Sequence, residues 1–199
     1  MRYHRSGTPL LTREASLLQQ IRSFLAGYEP VRLSAAGTPA AVLLLLYEKE
    51  GEPHILLTRR TDYVEHHKGE TSFPGGAFDA EDGDLQTTAL RETEEEIGVH
   101  PQDVEVLGRL DDIVTITDFL VSPFVGVLRS ADYPFVVNAH EVAELVEVPL
   151  RHLMDESNLE RTVRPFQDRS VLIFTYHYGD HRIWGATARI LKGFLDHLS

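Results

Sequence analysis

The chain has 199 residues, 42% of them apolar, enough for one domain with its own core and too few for a second full one. Nineteen basic against thirty-one acidic residues give a formal charge of −12, which argues against wrapping nucleic acid by neutralising many phosphates; a small anionic ligand would need local cations, from clustered Arg and Lys or from bound metal. The chain has no cysteine, which excludes disulfides, thiolate catalysis and zinc sites built on Cys.

The start, "MRYHRSGTPLLTREAS", lacks a continuous apolar run, and the longest such run, "AAVLLLLY" at 40–47, is too short to span a bilayer. A cytoplasmic protein without a membrane partner is expected. In residues 12–27, Leu17, Leu18, Ile21, Phe24 and Leu25 form one helical stripe, with Thr12 as candidate N-cap and Gly27 as the stop. Residues 1–36 are expected to form an N-terminal helical extension, and 37–199 the main domain. Then "AAVLLLLYEKEGEPHILLTRR" reads as two apolar strands paired in a hairpin, with a charged turn around Gly51 and Pro53.

Residues 61–84 are polar and glycine-rich, so a mostly irregular segment is expected, and a loop of this length is usually functional. Helical spacing returns over 85–97, with Leu85, Ala89, Leu90, Thr93 and Ile97 on the buried side and Gly98 ending the helix. After it come strand-like runs, "VEVLGRLD", "FLVSPFVGVL", "FVV", "EVAELVEVPL", "ERTVRPF", "VLIFTYHY" and "HRIWG". A second amphipathic helix closes the chain, with Ile190, Leu191, Phe194, Leu195 and Leu198 on one face. The order implies an α/β fold in three layers, helices outside strands.

The stretch "RETEEEIGV" at 91–99 crowds four glutamates onto the helix over 85–97. Glu92 and Glu96, four apart, repel by a few tenths of a kcal/mol. Glu92, Glu95 and Glu96 share a face at i, i+3 and i+4, while Glu94 points elsewhere. Two readings follow: a solvated acidic face, or a site for a hard divalent cation such as Mg²⁺ or Mn²⁺, which takes oxygen ligands. The glycine-rich loop before it and Arg91 at its head favour the second.

With "FPGG" at 73–76, this stretch closely resembles the signature of the Nudix hydrolases. Only Thr93 is irregular in the second half, where an apolar residue is usual. In the first half, Asp82 stands six after Gly76 where glutamate is usual, and one extra residue separates it from Arg91. Both departures resemble the coenzyme A pyrophosphatase branch. So does "LLTRRTDYVEHHKGETSFPGG", in which Leu56, Leu57, Thr58, Arg60, Gly69, Phe73, Pro74, Gly75 and Gly76 fall in register with that branch's pattern. Thr61 replaces its Ser or Ala, and Glu65 replaces an arginine.

The resemblance implies a Nudix fold, a mixed β-sheet sandwiched between α-helices. It implies metal-dependent hydrolysis, with Mg²⁺ or Mn²⁺, of coenzyme A or a derivative to 3′,5′-ADP and 4′-phosphopantetheine. The alternatives are another nucleoside diphosphate derivative (ADP-ribose, a dinucleotide, a nucleoside triphosphate) or a non-catalytic nucleotide-binding module. Glu92, Glu96, Glu95 and the Gly76 carbonyl are the implied metal ligands; Glu95, Glu96 and Arg91 are the implied catalytic residues, Arg91 by orienting a glutamate. Arg60, Arg59, Lys68 and Gly75 are expected to face the substrate, a small molecule, in a monomer or homodimer. His66 and His67 read as surface groups, Glu141 and Glu144 as weak candidates for a general base, and Trp184 as core.

Overall fold

Alternation of side chains along the first strand decides the layering. In the computed structural model, which describes residues 11–61, 69–166 and 169–198 and the side chains of 17–61, 69–165 and 170–198, β1 (Thr38–Lys49) is buried on both faces through its apolar run. Leu44 and Leu46 point into one core, and Leu43, Leu45 and Tyr47 into another.

Around β1 a mixed eight-stranded sheet forms. β2 (Glu52–Arg60) pairs with it antiparallel through a turn at Glu50 and Gly51, the expected hairpin. Pro53 lies within β2 rather than in the turn. Segment 61–84 is less irregular than expected: β3 (Thr71–Ser72) pairs with β2, β4 (Gly75–Ala77) pairs with β1, and a one-turn 3-10 helix spans Ala80–Asp82. These strands of two and three residues have no periodicity of their own, and partners distant in sequence extend them.

Next come α2 (Leu85–Ile97), β5 (Val104–Arg109), β6 (Ile113–Val114) and β7 (Phe119–Leu128), of which β7 lies parallel to β1. β8 (Val142–Pro149) pairs with β2, and a short α3 (Leu150–Met154) follows. β9 (Leu159–Phe166), β10 (Arg169–Tyr178) and β11 (His181–Trp184) form a separate three-stranded sheet before α4 (Gly185–Leu195). The "FVV" run at 135–137 is no strand; its backbone lies across the end of α2, where Val136 N–H donates to the Ile97 carbonyl at 3.0 Å.

Helix α1 (Leu11–Ala26) begins before Thr12, so Thr12 is inside the helix and not its cap. It buries Ile21 and Leu25 in the first core with Ile190, Leu191 and Phe194 of α4 and Tyr176 and Ile183 of the small sheet. Each such side chain contributes about 1.5–3 kcal/mol on burial. Helix α2 covers the opposite face of the main sheet through Ala89 and Ile97. The result is the expected α/β arrangement, a mixed sheet between helices. Asp111 and Asp112 tie down the connector after α1, accepting from Val31 N–H at 2.8 Å and Leu33 N–H at 3.0 Å. Among the described residues no helix is long and apolar enough to cross a membrane.

The ends of α2 are fixed by particular residues. Asp84 caps its start, accepting from Thr87 N–H at 2.8 Å. Gly98 ends it at φ 71°, donating to the Glu94 carbonyl at 2.8 Å. Thr93 fits an apolar site because its hydroxyl donates to the Ala89 carbonyl at 2.6 Å. A Cβ at residue 98 would sit 2.9 Å from Val136 Cβ, in a backbone conformation L residues avoid. Gly98→Ala is therefore expected to cost about 1–2 kcal/mol, read as a lower melting temperature; an unchanged one would show that the cap is not under this constraint.

Candidate functional site

Strand β4 runs antiparallel to the start of β1, with Gly76 opposite Ala41, and α2 packs above it. Two glycines make this approach possible. At Gly75 (φ 149°) a Cβ would lie 2.3 Å from the Ala41 carbonyl oxygen; at Gly76 it would lie 2.4 Å from the Glu92 carboxyl carbon. The Glu92 carboxylate thus rests on the Gly76 backbone.

Arg91 holds the cluster. Its Nη1 is 3.0 Å from Glu92 Oε1 and 3.0 Å from Glu95 Oε2, while its Nε and Nη2 donate to the two oxygens of Asp82 at 2.7 and 3.1 Å. Asp82 also accepts from the Thr88 hydroxyl at 2.8 Å and Asp79 N–H at 3.1 Å. The Arg91 guanidinium first, then Thr88 and the Asp79 N–H, hold the Asp82 carboxyl well below the usual carboxylate range. The position noted as a departure in sequence is therefore the anchor of the arginine. Two oxygens presented to the planar fork are what this position requires, and Asp supplies them.

Glu96 lies deeper, its side chain 4% exposed. Its Oε1 is 3.7 Å from Arg60 Nη1, and its Oε2 is buried without a hydrogen-bond partner among the described residues. Burial pushes its pKa up to about 8; Arg60 opposes this, and Glu92 and Glu141 add to it. Burial likewise raises that of Glu92. Glu95 is half exposed, and Glu94 turns away to His100.

The three glutamates do not meet at one point in this arrangement. Glu92 and Glu95 close on Arg91 while Glu96 faces Arg60, and among the described residues no three His, Asp or Glu side chains are grouped at metal-ligand spacing. The arginines supply the positive charge that i, i+3 and i+4 spacing alone leaves wanting. The donor set still suits a hard cation: every donor is an oxygen, and Glu96 Oε2 is a buried acceptor with no hydrogen-bond donor among the described residues.

A further acid arrives from another segment. Glu141 sits on a bend held by Thr61 N–H to the Glu141 carbonyl at 2.9 Å and the Thr61 hydroxyl to the His140 carbonyl at 2.8 Å. Asn138, whose N–H donates to the Glu96 carbonyl at 2.9 Å, gives its side-chain amide to Glu141 Oε1 at 3.2 Å. Glu141 thereby joins the field at Glu92 and Glu96. Sequence offered no spacing that distinguishes it from Glu144, which pairs with Arg59 Nε at 3.1 Å.

Of the expected substrate-facing residues, Arg60 and Gly75 lie at Glu96, and Arg59 is directed to Glu144 instead. Lys68, with Glu65, His66 and His67, lies outside the described residues. Trp184 is not core: it is 45% exposed, because the β11 alternation that buries Ile183 turns its neighbour outward.

Asp82→Asn is expected to lower stability at neutral pH by about 2 kcal/mol, since it weakens charged hydrogen bonds in a nearly buried site. Because the folded-state pKa is depressed, this contribution is present above the unfolded value of about 3.9 and is lost as pH falls through the folded one. The gap between wild type and variant should close in acid; melting temperatures from pH 7 to 2 that stay parallel would contradict this.

A family model of the NUDIX domain matches residues 37–171. A protein of Photorhabdus laumondii described as an uncharacterized Nudix hydrolase, NudL, is 40% identical over 165 residues, spanning 81% of this chain and 86% of its own. A Yersinia pestis protein of the same description is 37% identical, spanning 83% and 82%. Among solved structures, a NUDIX hydrolase from Alicyclobacillus acidocaldarius superposes with a TM-score of 0.51 at 21% identity, over 62% of this chain and 84% of that one. A Nudix hydrolase from M. smegmatis, RenU, superposes at 0.50 and 24% identity, over 59% and 74%; both share the fold. With the family model covering most of the chain and these relatives matching along most of their length, the chain belongs to the Nudix hydrolase family.

Proposed function

We propose that the chain hydrolyses the diphosphate of coenzyme A, or of a close derivative, to 3′,5′-ADP and 4′-phosphopantetheine. The observation that carries this reading is Glu96, a buried carboxylate with one oxygen unpartnered among the described residues, beside Glu92 on Gly76 and 3.7 Å from Arg60. Glu92, Glu95, Glu96 and the Gly76 carbonyl would hold Mg²⁺ or Mn²⁺. When bound, the cation neutralises diphosphate charge and lowers the pKa of the attacking water.

The chain's own groups do the rest. Arg91 holds Glu92 and Glu95 in place through its grip on Asp82. Arg60, 28% exposed and beside Glu96, faces the phosphates. Water adds to phosphorus, the P–O bond of the anhydride breaks, and the solvent-reachable Glu95 takes the water's proton; Glu141 adds negative charge that keeps Glu92 and Glu96 receptive to a cation.

Support for the coenzyme A branch comes from the longer upstream pattern. Leu56, Leu57 and Phe73 are core residues, and Gly69 has φ 66° at the turn before β3. These residues shape the end of β2 that delivers Arg60.

Product analysis with Mg²⁺ or Mn²⁺ and, separately, coenzyme A, ADP-ribose, NADH and a diadenosine polyphosphate tests the reading. Release of 3′,5′-ADP chiefly from coenzyme A is expected; turnover of another compound alone would overturn the branch, and none at all the enzyme. Glu96→Gln should lower kcat about 10³-fold. Its melting temperature without metal should hold or rise, because a buried carboxylate oxygen lacking a partner costs folding free energy. A wild-type rate in this variant would refute the metal assignment. Arg60→Ala should raise KM about ten-fold, and an unchanged KM would remove Arg60 from the substrate.

A further inference from the structure

We infer that Asn138 is a positioning residue for the cation site: it holds the Glu141 carboxylate in the field of Glu92 and Glu96. The inference rests on the diphosphate-hydrolase reading above. Asn138 precedes the turn that leads into β8, and its backbone and side chain do different work. Its N–H donates to the Glu96 carbonyl at 2.9 Å, and its carbonyl accepts from Glu141 N–H at 3.0 Å and Val142 N–H at 2.9 Å. These bonds register the turn against the residue of α2 that carries the buried carboxylate.

The side chain makes a second link. Its Oδ1 accepts from His140 N–H at 3.2 Å, and its Nδ2 donates to Glu141 Oε1 at 3.2 Å. A backbone N–H only donates and an ionised carboxylate only accepts, so one orientation of the amide satisfies both. Among the described residues this is the one hydrogen bond that the Glu141 carboxylate receives. Burial raises the pKa of Glu92 and of Glu96, and the charge of the half-buried Glu141 adds to both. Like charges repel, so a glutamate free to rotate would leave that field for solvent. The amide of Asn138, bonded to the charged group, opposes the departure.

Residue type distinguishes this role from turn formation alone. Asn, Asp and Ser can all form the side-chain bond to an N–H two residues on. Of these only Asn keeps a donor for Glu141: Asp would set a second carboxylate oxygen against Glu141 Oε1, and Ser has no second polar atom to offer. Thr61 steadies the same turn from the other side, its hydroxyl donating to the His140 carbonyl at 2.8 Å and its N–H to the Glu141 carbonyl at 2.9 Å. The turn is thus fixed both to the strand end that carries Arg60 and to the helix that carries Glu96, and Asn138 sets where its carboxylate points.

A cycle of variants separates positioning from turn stability. Asn138→Ser keeps an oxygen for His140 N–H and removes the donor to Glu141. With coenzyme A and Mg²⁺ it should lower kcat about ten-fold with KM little changed, and calorimetric titration of the full chain with Mn²⁺ should show affinity about ten-fold weaker. In a Glu141→Ala background the same substitution should change neither quantity further, because its effect passes through Glu141. Wild-type kcat and Mn²⁺ affinity in Asn138→Ser, or losses of the same size in both backgrounds, would overturn the positioning role. A lowered melting temperature with Mn²⁺ affinity unchanged would also overturn it, assigning Asn138 to the turn alone. If Asn138→Ser does not fold, the isosteric Asn138→Asp takes its place in the cycle with the same expectation. The two readings fail separately: weaker Mn²⁺ binding by Asn138→Ser in a protein that cleaves no diphosphate upholds the positioning role and removes the hydrolase, whereas wild-type kcat and Mn²⁺ affinity in the variant remove the role and leave the hydrolase.

Discussion

One guanidinium holds the candidate site together. Arg91 binds Asp82 with two parallel hydrogen bonds and spends its remaining nitrogen on Glu92 and Glu95. Without it, carboxylates on consecutive turns of α2 would repel and the side chains would spread into solvent. Bidentate geometry makes Arg91 a rigid support rather than a diffuse counter-charge. Asp82 is in turn fixed by Thr88 and by the backbone of Asp79, so the 3-10 turn before α2 and the helix itself are locked to each other.

The rest of the fold serves this placement. β1, buried on both faces, carries β4 along its edge, and the two glycines of β4 let α2 approach closely enough for Glu92 to rest on the backbone. The Gly98 cap and the 136–138 segment then fix where α2 stops, and the same segment leads to Glu141. Under the proposed function, stability and activity pull against each other at Glu96. A buried carboxylate with one oxygen unpartnered among the described residues is unfavourable in the fold, a cost that the proposed chemistry would explain.

Much of this was legible in the sequence where one local rule dominates. Helix 85–97 and its Gly98 stop, the β1–β2 hairpin and the closing helix follow from periodicity and turn chemistry within single windows. Less local features were hidden. β3 and β4 are too short to show a period, Trp184 depends on which face β11 presents, and Glu141 and Glu144 look alike until Thr61 and Asn138 draw one of them to Glu96. Asp82 was visible as an irregular motif position, yet its partner nine residues on could be recognised only once the 3-10 turn placed the two side by side.

The proposed function requires Glu92, Glu95 and Glu96 to come together on a divalent cation. Isothermal titration of the wild-type chain and Glu96→Gln with Mn²⁺, in the presence of a non-hydrolysable diphosphate, addresses it most directly. Saturable binding to wild type is expected, with affinity at least about ten-fold weaker in the variant. Equal affinity in the two proteins, or no binding by either, would contradict it.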